Sequence, residues 1–123
     1  MTHSYTVAEA RGVLDRLRPS IESLVAVRAD AAELSAAVRS GTPSPLGGVP
    51  EMKAAQARFD ELLSEITATD LQVKGVAPLL LDFPAELAGE SVLLCWLEGD
   101  GDLVWYHRVD LGFAGRRLIP EHA

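Results

Sequence analysis

The chain has 123 residues, of which 48% are hydrophobic and 24% charged, so it is long enough to bury one core without disulfides. Its 18 acidic residues against 11 Lys and Arg give a net charge of -7, which argues against partners such as nucleic acid or an anionic membrane surface. Cys95 is the single cysteine, and there is neither a signal segment nor a membrane-spanning apolar run, so we expect a cytoplasmic protein.

The N-terminal segment is predicted to form one long amphipathic helix over residues 6–39. Thr6 and Glu9 have the spacing of a capping box, in which each side chain accepts a hydrogen bond from the backbone N–H of the other residue. Apolar residues then recur every three or four positions, which is typical of one face of a helix. They are Val7, Ala10, Leu14, Leu17, Ile21, Leu24, Val27, Ala31, Leu34 and Val38.

Pro19 lies inside this predicted helix. A proline there removes one backbone hydrogen bond and clashes with the preceding turn. Because Leu17 and Ile21 keep the apolar stripe in phase on either side, we favour one helix with a kink. The alternative is two helices that meet at Arg18, which the restriction on the residue before proline would support.

The next segment is predicted to complete a helical hairpin. Residues 40–50 contain three Pro and three Gly and are predicted to form a loop. Helical periodicity resumes over residues 50–68, so two antiparallel helices face each other through their apolar stripes. A helix of roughly thirty residues is about 45 Å long, which is more than a domain of this size needs. We therefore expect a coiled-coil-like hairpin that associates as a homodimer or with a protein partner.

The C-terminal part is predicted to form a small antiparallel β unit over residues 78–109, followed by an irregular return over residues 110–123. Two apolar and aromatic runs flank Asp100-Gly101, a pair typical of a two-residue hairpin turn. The runs are Val92–Leu97 and Leu103–Val109. The predicted fold class is therefore α+β, a helical hairpin packed with a β unit in a single domain over residues 1–123.

A set of short motifs, in this order, resembles an uncharacterised family of bacteria and archaea, the domain-of-unknown-function family 2203. The C-terminal motifs are Asp82-Phe83-Pro84, Leu94-Cys95-Trp96, Gly99-Asp100, Trp105-Tyr106-His107 and Gly112-Phe113-Ala114-Gly115-Arg116. The N-terminal motifs are Thr6-Val7-Ala8-Glu9-Ala10-Arg11 and Leu17-Arg18-Pro19. The chain departs from the family pattern at Asp100, where the family has Glu, and at Tyr106, where it has Trp. The resemblance implies no activity.

Cys95 and His107 are the residues best suited to metal or thiol chemistry, since thiolate and imidazole both bind zinc. Whether they meet depends on the register of the hairpin between them. A two-residue turn at Asp100-Gly101, which the sequence favours, places them on opposite faces of the sheet. A three-residue loop over residues 99–101 instead puts Cys95 opposite Trp105, on the same face as His107.

A metal site would need further ligands, which Asp82 or Asp110 could supply. The simpler interpretation is a buried Cys95 that packs like a small apolar residue and a His107 that is hydrogen-bonded. We therefore predict no cofactor, with a divalent metal at these four residues as the alternative.

The aromatic residues suggest a second candidate site. In the favoured register Trp96 faces Trp105 across the strands, either as core packing or as the wall of a ligand pocket with His107 at its rim. Arg116 and Arg117 follow two glycines and would form a small anion site, or else pair with acidic residues.

No sequence motif of a known enzyme class is present: there is no P-loop, dinucleotide-binding glycine motif, nucleophile elbow or paired Cys-x-x-Cys. The sequence therefore favours a non-enzymatic interaction module that acts through its helical hairpin. The alternative is a protein that binds a metal or a small molecule, or an enzyme, with its site around His107.

Overall fold

The architecture is two helices followed by a five-stranded antiparallel sheet, as described by a computed structural model for residues 3–121. The helices are α1 (Val7–Ser40) and α2 (Val49–Thr67). The strands are β1 (Gln72–Val76), β2 (Leu79–Leu87), β3 (Glu90–Leu97), β4 (Trp105–Arg108) and β5 (Arg117–Leu118), and they lie in the sheet in that order. The predicted α+β class is confirmed.

The chain forms two compact units. The sheet unit consists of Met1–Arg16 and Thr67–Ala123, and the hairpin unit consists of Leu17–Ile66. That these units make up a single domain stays a prediction.

Helix α1 begins where the sequence predicts. The Glu9 backbone N–H donates to Thr6 Oγ1 at 3.1 Å, and the Thr6 N–H donates to Glu9 Oε1 at 2.8 Å, which is the predicted capping box. Pro19 lies inside a continuous helix, so the alternative of two helices meeting at Arg18 is wrong. Leu17 and Ile21, on either side of Pro19, are both buried, as the continuous apolar stripe predicts.

The hairpin unit pairs the rest of α1 with α2. Ser20 Oγ donates to Glu65 Oε2 at 3.0 Å, and Ala31 lines the same small cavity as Phe59, so residues early in α1 lie beside residues late in α2. The two helices are therefore antiparallel, as predicted. Within residues 3–121, neither helix combines the length and the apolar character that crossing a membrane requires.

The sheet extends beyond the predicted limits of 78–109. Strand β1 lies before residue 78. Strand β5 and a 3₁₀ turn at Phe113–Gly115 lie in the segment 110–123, which was predicted to be an irregular return. Residues 122–123 of that segment lie outside the residues that the structure describes. Strand β2 also continues through Pro84. The carbonyl of Pro84 accepts a hydrogen bond from the Tyr5 N–H at 2.7 Å, on the edge of β2 beyond the end of β1. Because no residue of β1 lies opposite Pro84, the N–H that proline lacks costs no hydrogen bond between these strands.

The strand register divides the central side chains between two faces of the sheet. The core face is made by Leu81, Phe83, Ala85, Val92, Leu94 and Trp96, all of them buried. The site face is made by Asp82, Leu93, Cys95, Trp105 and His107.

The two-residue turn predicted at Asp100-Gly101 is wrong. Strand β3 ends at Leu97 and β4 begins at Trp105, so a seven-residue connection replaces the tight turn. Asp100 does not take a turn position with positive φ, because its carboxylate accepts a hydrogen bond from the Leu97 N–H at 2.9 Å. Gly99 adopts the positive φ, at 104°. The resulting register is the alternative one, with Cys95 opposite Trp105.

Replacing Thr6 by alanine tests the start of α1. Thr6→Ala removes the acceptor for the Glu9 N–H, and we expect it to lower the free energy of unfolding by about 1 kcal/mol. Urea denaturation followed by circular dichroism measures the change. Ser23→Ala, an exposed serine inside the same helix, is the control and should be neutral or stabilising. Equal effects of the two substitutions would contradict a capping role for Thr6.

The β2–β3 turn offers a stabilising change. Ala88 and Gly89 both have positive φ, 51° and 79°, as a type I′ turn requires, and alanine is strained there. We expect Ala88→Asn to raise the free energy of unfolding by up to about 1 kcal/mol. The same replacement at Ala36, exposed within α1, should destabilise through lower helix propensity. A loss of stability in Ala88→Asn would show that this turn does not strain its alanine.

Candidate metal centre

Three adjacent strands build the centre of the site face. On β2 and β3, Asp82 lies directly opposite Cys95, and on β3 and β4, Leu93 lies directly opposite His107. Because Leu93 and Cys95 are two residues apart on β3, His107 is the diagonal neighbour of Cys95. The register that separates Cys95 from His107 is therefore wrong, and both share a face with Asp82.

Asp82, Cys95 and His107 converge in the interior. Their exposed fractions are 2%, 0% and 4%, and one ligand atom from each lies within 4.8 Å of the other two. Asp82 and His107 reach towards each other from the two strands that flank β3, and His107 Nε2 lies 3.1 Å from Asp82 Oδ2. A carboxylate, a thiol and an imidazole thus form one buried cluster among apolar side chains.

The backbone fixes how His107 presents its ring. Nδ1 lies 2.8 Å from the carbonyl oxygen of Arg108. A carbonyl only accepts, so Nδ1 carries a proton and donates it. Nε2 is therefore the ring nitrogen turned towards Asp82, with Oδ2 at 3.1 Å.

Asp82 has a second oxygen whose hydrogen bonding is not satisfied. Within residues 3–121, Oδ1 of this buried side chain has no hydrogen-bond partner. A buried carboxylate oxygen without a partner costs free energy comparable to a lost charge-assisted hydrogen bond. The cluster therefore retains one strong acceptor that none of the residues 3–121 uses.

The thiol of Cys95 is in its neutral form. Burial raises its pKa, and the negative charge of Asp82 raises it further, whereas a hydrogen bond and the positive charge of Arg116 act in the opposite direction. The net result raises the pKa of Cys95 from 9.0 to about 11. Without a metal to replace its proton, Cys95 is a poor nucleophile near neutral pH.

Arg116, predicted either to form a small anion site or to pair with acidic residues, pairs with Asp100. Its guanidinium donates to Asp100 Oδ2 at 2.8 Å, and its Cζ lies 4.6 Å from the ring centre of Trp105 and 5.0 Å from that of Phe113. It also lies within hydrogen-bond reach of Cys95. Arg116 thus fastens the C-terminal return to the site face beside the cluster.

The predicted pairing of Trp96 with Trp105 is wrong, because the register places them on opposite faces. Trp96 is buried on the core face, and its Nε1–H donates to the Gly101 carbonyl at 3.1 Å. Trp105 lies on the site face, half-buried beneath Arg116. The two indoles therefore do not form one pocket wall.

A cavity of about 260 Å³ opens beside the cluster. Asp82 and His107 line it, together with Asp110, the fourth metal ligand considered from the sequence. Asp110 is exposed and pairs with Arg108 at 2.8 Å, so it contributes to the cavity but not to the buried cluster. Lys74 also lines this cavity, and it was not a candidate because β1 lies before the predicted β unit of residues 78–109.

Removing the charge of Asp100 tests whether its ion pair with Arg116, called the clamp below, holds the C-terminal return in place. The ion pair of Asp100 with Arg116 is largely buried, so we expect Asp100→Asn to lower the free energy of unfolding by roughly 1–2 kcal/mol at pH 7. Asp110→Asn, which breaks an exposed pair with Arg108, is the matched control and should have a much smaller effect. Equal losses from the two variants would contradict the clamp.

The effect of Asp100→Asn should also depend on pH. Burial would raise the pKa of Asp100, but hydrogen bonds from Arg116 and the Leu97 N–H and the charge of Arg116 outweigh it, so the pKa lies below the usual 3.8. A carboxyl whose pKa is lowered on folding stabilises the protein above its unfolded pKa and loses that contribution as the pH falls through the folded value. The stability difference between wild type and variant should therefore be constant above about pH 5 and shrink below pH 4. Denaturation at several pH values measures it.

Comparison with known proteins places the chain in a family without assigning it a role. The model of the DUF2203 family, described as an uncharacterized conserved protein, matches residues 3–119. The chain therefore belongs to this family, and the resemblance seen in its sequence motifs is confirmed. No curated protein and no solved structure matches it.

Proposed function

We propose that this member of the DUF2203 family binds a divalent metal, zinc, through Asp82, Cys95 and His107. The observation that carries the proposal is the convergence of three different metal-binding side chains, all buried, on ligand atoms within 4.8 Å of one another. Charged side chains such as the Asp82 carboxylate are rarely fully buried unless they are paired or coordinate a metal, because they lose their hydration.

The spacing and chemistry of the donor atoms suit zinc. Zinc accepts sulfur, nitrogen and oxygen ligands at 2.0–2.3 Å in a tetrahedral arrangement, which places the ligand atoms roughly 3.3–3.8 Å apart. The separation of 3.1 Å between His107 Nε2 and Asp82 Oδ2 needs only a small expansion to reach this range. The thiolate of Cys95 disfavours magnesium and calcium, which prefer oxygen.

The surroundings of the cluster also support a metal. A metal-binding histidine usually donates its other ring N–H to a carbonyl or carboxylate, and His107 Nδ1 donates to the Arg108 carbonyl. A divalent ion would balance the carboxylate of Asp82 and the thiolate of Cys95, so the buried site would carry no net charge. The unpartnered Asp82 Oδ1 would then have a ligand or a bound water to contact.

Three protein ligands leave a fourth position, which we place towards the cavity lined by Asp82 and His107. Structural zinc sites have four protein ligands, whereas sites that bind an exogenous molecule have three. We therefore propose a site that exchanges a ligand, as in a metal-dependent enzyme or a small-molecule receptor. A thiolate ligand such as Cys95 stays intact in a reducing compartment, which fits a cytoplasmic location.

Native mass spectrometry of the zinc-reconstituted protein tests this proposal. We expect one zinc per chain, and we expect Cys95→Ser, His107→Gln and Asp82→Asn each to weaken zinc binding by more than about 100-fold, because loss of a ligand exceeds the loss typical of a supporting residue. Asp110→Asn, next to the cavity but outside the cluster, is the control and should bind as wild type does. Circular dichroism and cooperative unfolding verify that each variant folds.

Two results would contradict the proposal. If the wild-type protein takes up no zinc at micromolar concentrations of the metal, the proposed metal site is wrong. Weaker zinc binding in Asp110→Asn would instead indicate four protein ligands and a closed site.

The hairpin unit supports a second candidate function, association as a homodimer or with a protein partner. Val38, Leu46 and Val49, near the loop that joins α1 to α2, are 39%, 37% and 44% exposed. Large apolar side chains grouped in this way are typical of contact surfaces. The same mass spectra report the oligomeric state: a dimer lost in Val38→Ser would support this candidate, and a monomer at all concentrations would oppose it.

A further inference from the structure

Lys74 lies beside the candidate metal centre on β1, two residues after Gln72, which is opposite Asp82 on the site face. The pairing of β1 with β2 shifts between Val73 and Gly75, so Lys74 is an extra residue opposite no partner. A bulge of this kind redirects a side chain and is frequent beside functional sites. Lys74 lines the same cavity as Asp82 and His107.

The rest of the cavity wall is largely apolar. Leu80 and Leu93 contribute from the sheet, and Val109, Leu111 and Phe113 contribute from the segment that follows β4. The last three are 62%, 41% and 42% exposed, an unusual grouping of large apolar side chains in one short segment. The cavity has a volume of about 260 Å³.

The charges around the cavity favour an anion. Within residues 3–121, Lys74 forms no ion pair, whereas Asp110 is already paired with Arg108. With zinc bound, the charge of Asp82 is also neutralised, which leaves Lys74 as the uncompensated charge. Phosphate, with two or more charges, usually needs several donors, such as Arg side chains or the N-terminus of a helix beside a lysine, and Arg116, the arginine next to the cluster, is engaged by Asp100.

We propose that the cavity binds a small monocarboxylate with a short aliphatic chain, whose carboxylate pairs with Lys74 and whose chain packs against Val109, Leu111 and Phe113. The inference rests on the proposed metal site, which supplies the open position that the carboxylate approaches. A second cavity of about 380 Å³ shares Lys74, Leu93 and Val109 with the first, so the bound chain has room to extend.

Calorimetric titration of the zinc-loaded protein with acetate, butyrate and hexanoate tests this inference. Affinity should rise with chain length, by up to about fourfold for each methylene group, the value for full burial. Lys74→Met keeps the aliphatic length and removes the charge, so it should weaken hexanoate binding by about tenfold or more and leave zinc affinity unchanged. Lys53→Met, an exposed lysine on α2, is the matched control and should change neither.

A variant in the apolar wall of the cavity separates the contribution of apolar packing to carboxylate affinity from that of the charge of Lys74. Val109→Ser should reduce the preference for hexanoate over acetate without affecting zinc. Zinc binding in wild type with no carboxylate binding, or with equal affinity for all three acids, would overturn the carboxylate inference and leave the metal site standing. Binding of inorganic phosphate as tight as that of hexanoate would overturn the choice of ligand class. Failure to bind zinc at all would overturn both proposals.

Discussion

The contact between His107 and Asp82 across β3 is the interaction on which the sheet unit depends. A buried imidazole and a buried carboxylate are costly unless each satisfies the other, so the strands that carry them must keep one register. A slip of one residue along either strand would turn His107 or Asp82 to the core face, among side chains such as Phe83 and Leu94. The polar cluster therefore constrains the pairing of three strands as strongly as the apolar core does.

The C-terminal return completes the surroundings of this cluster. Arg116 contacts the β3–β4 connection through Asp100, β4 through Trp105, and the return itself through Phe113. One cation thus joins three parts of the chain and keeps the segment that follows β4 against the site face. The apolar side chains of that segment then form one wall of the cavity beside His107. The buried cluster, the clamp made by Arg116 and Asp100, and the cavity all depend on the same pairing of β2, β3 and β4.

Local signals predicted the helices, whereas tertiary contacts decided the site. The capping box at Thr6 and the apolar stripe of α1 are encoded within a few residues, and both were predictable. The β3–β4 register was not, because Asp100 binds the Leu97 N–H and Arg116 instead of taking a turn position. Lys74 could not be singled out, since β1 lies outside the predicted β unit. Three of the four metal candidates, all except Asp110, do converge, although the favoured register had separated two of them.

X-ray absorption at the zinc edge of the loaded protein tests the metal centre most directly, because it identifies the atoms bound to the metal. The account predicts one sulfur at about 2.3 Å, from Cys95, and nitrogen and oxygen ligands at about 2.0–2.1 Å, with an outer-shell imidazole signal from His107. In Cys95→Ser the sulfur contribution should disappear. A first shell of oxygen and nitrogen alone in wild type would contradict the account, because it would mean that zinc binds elsewhere and that the buried cluster serves only the fold.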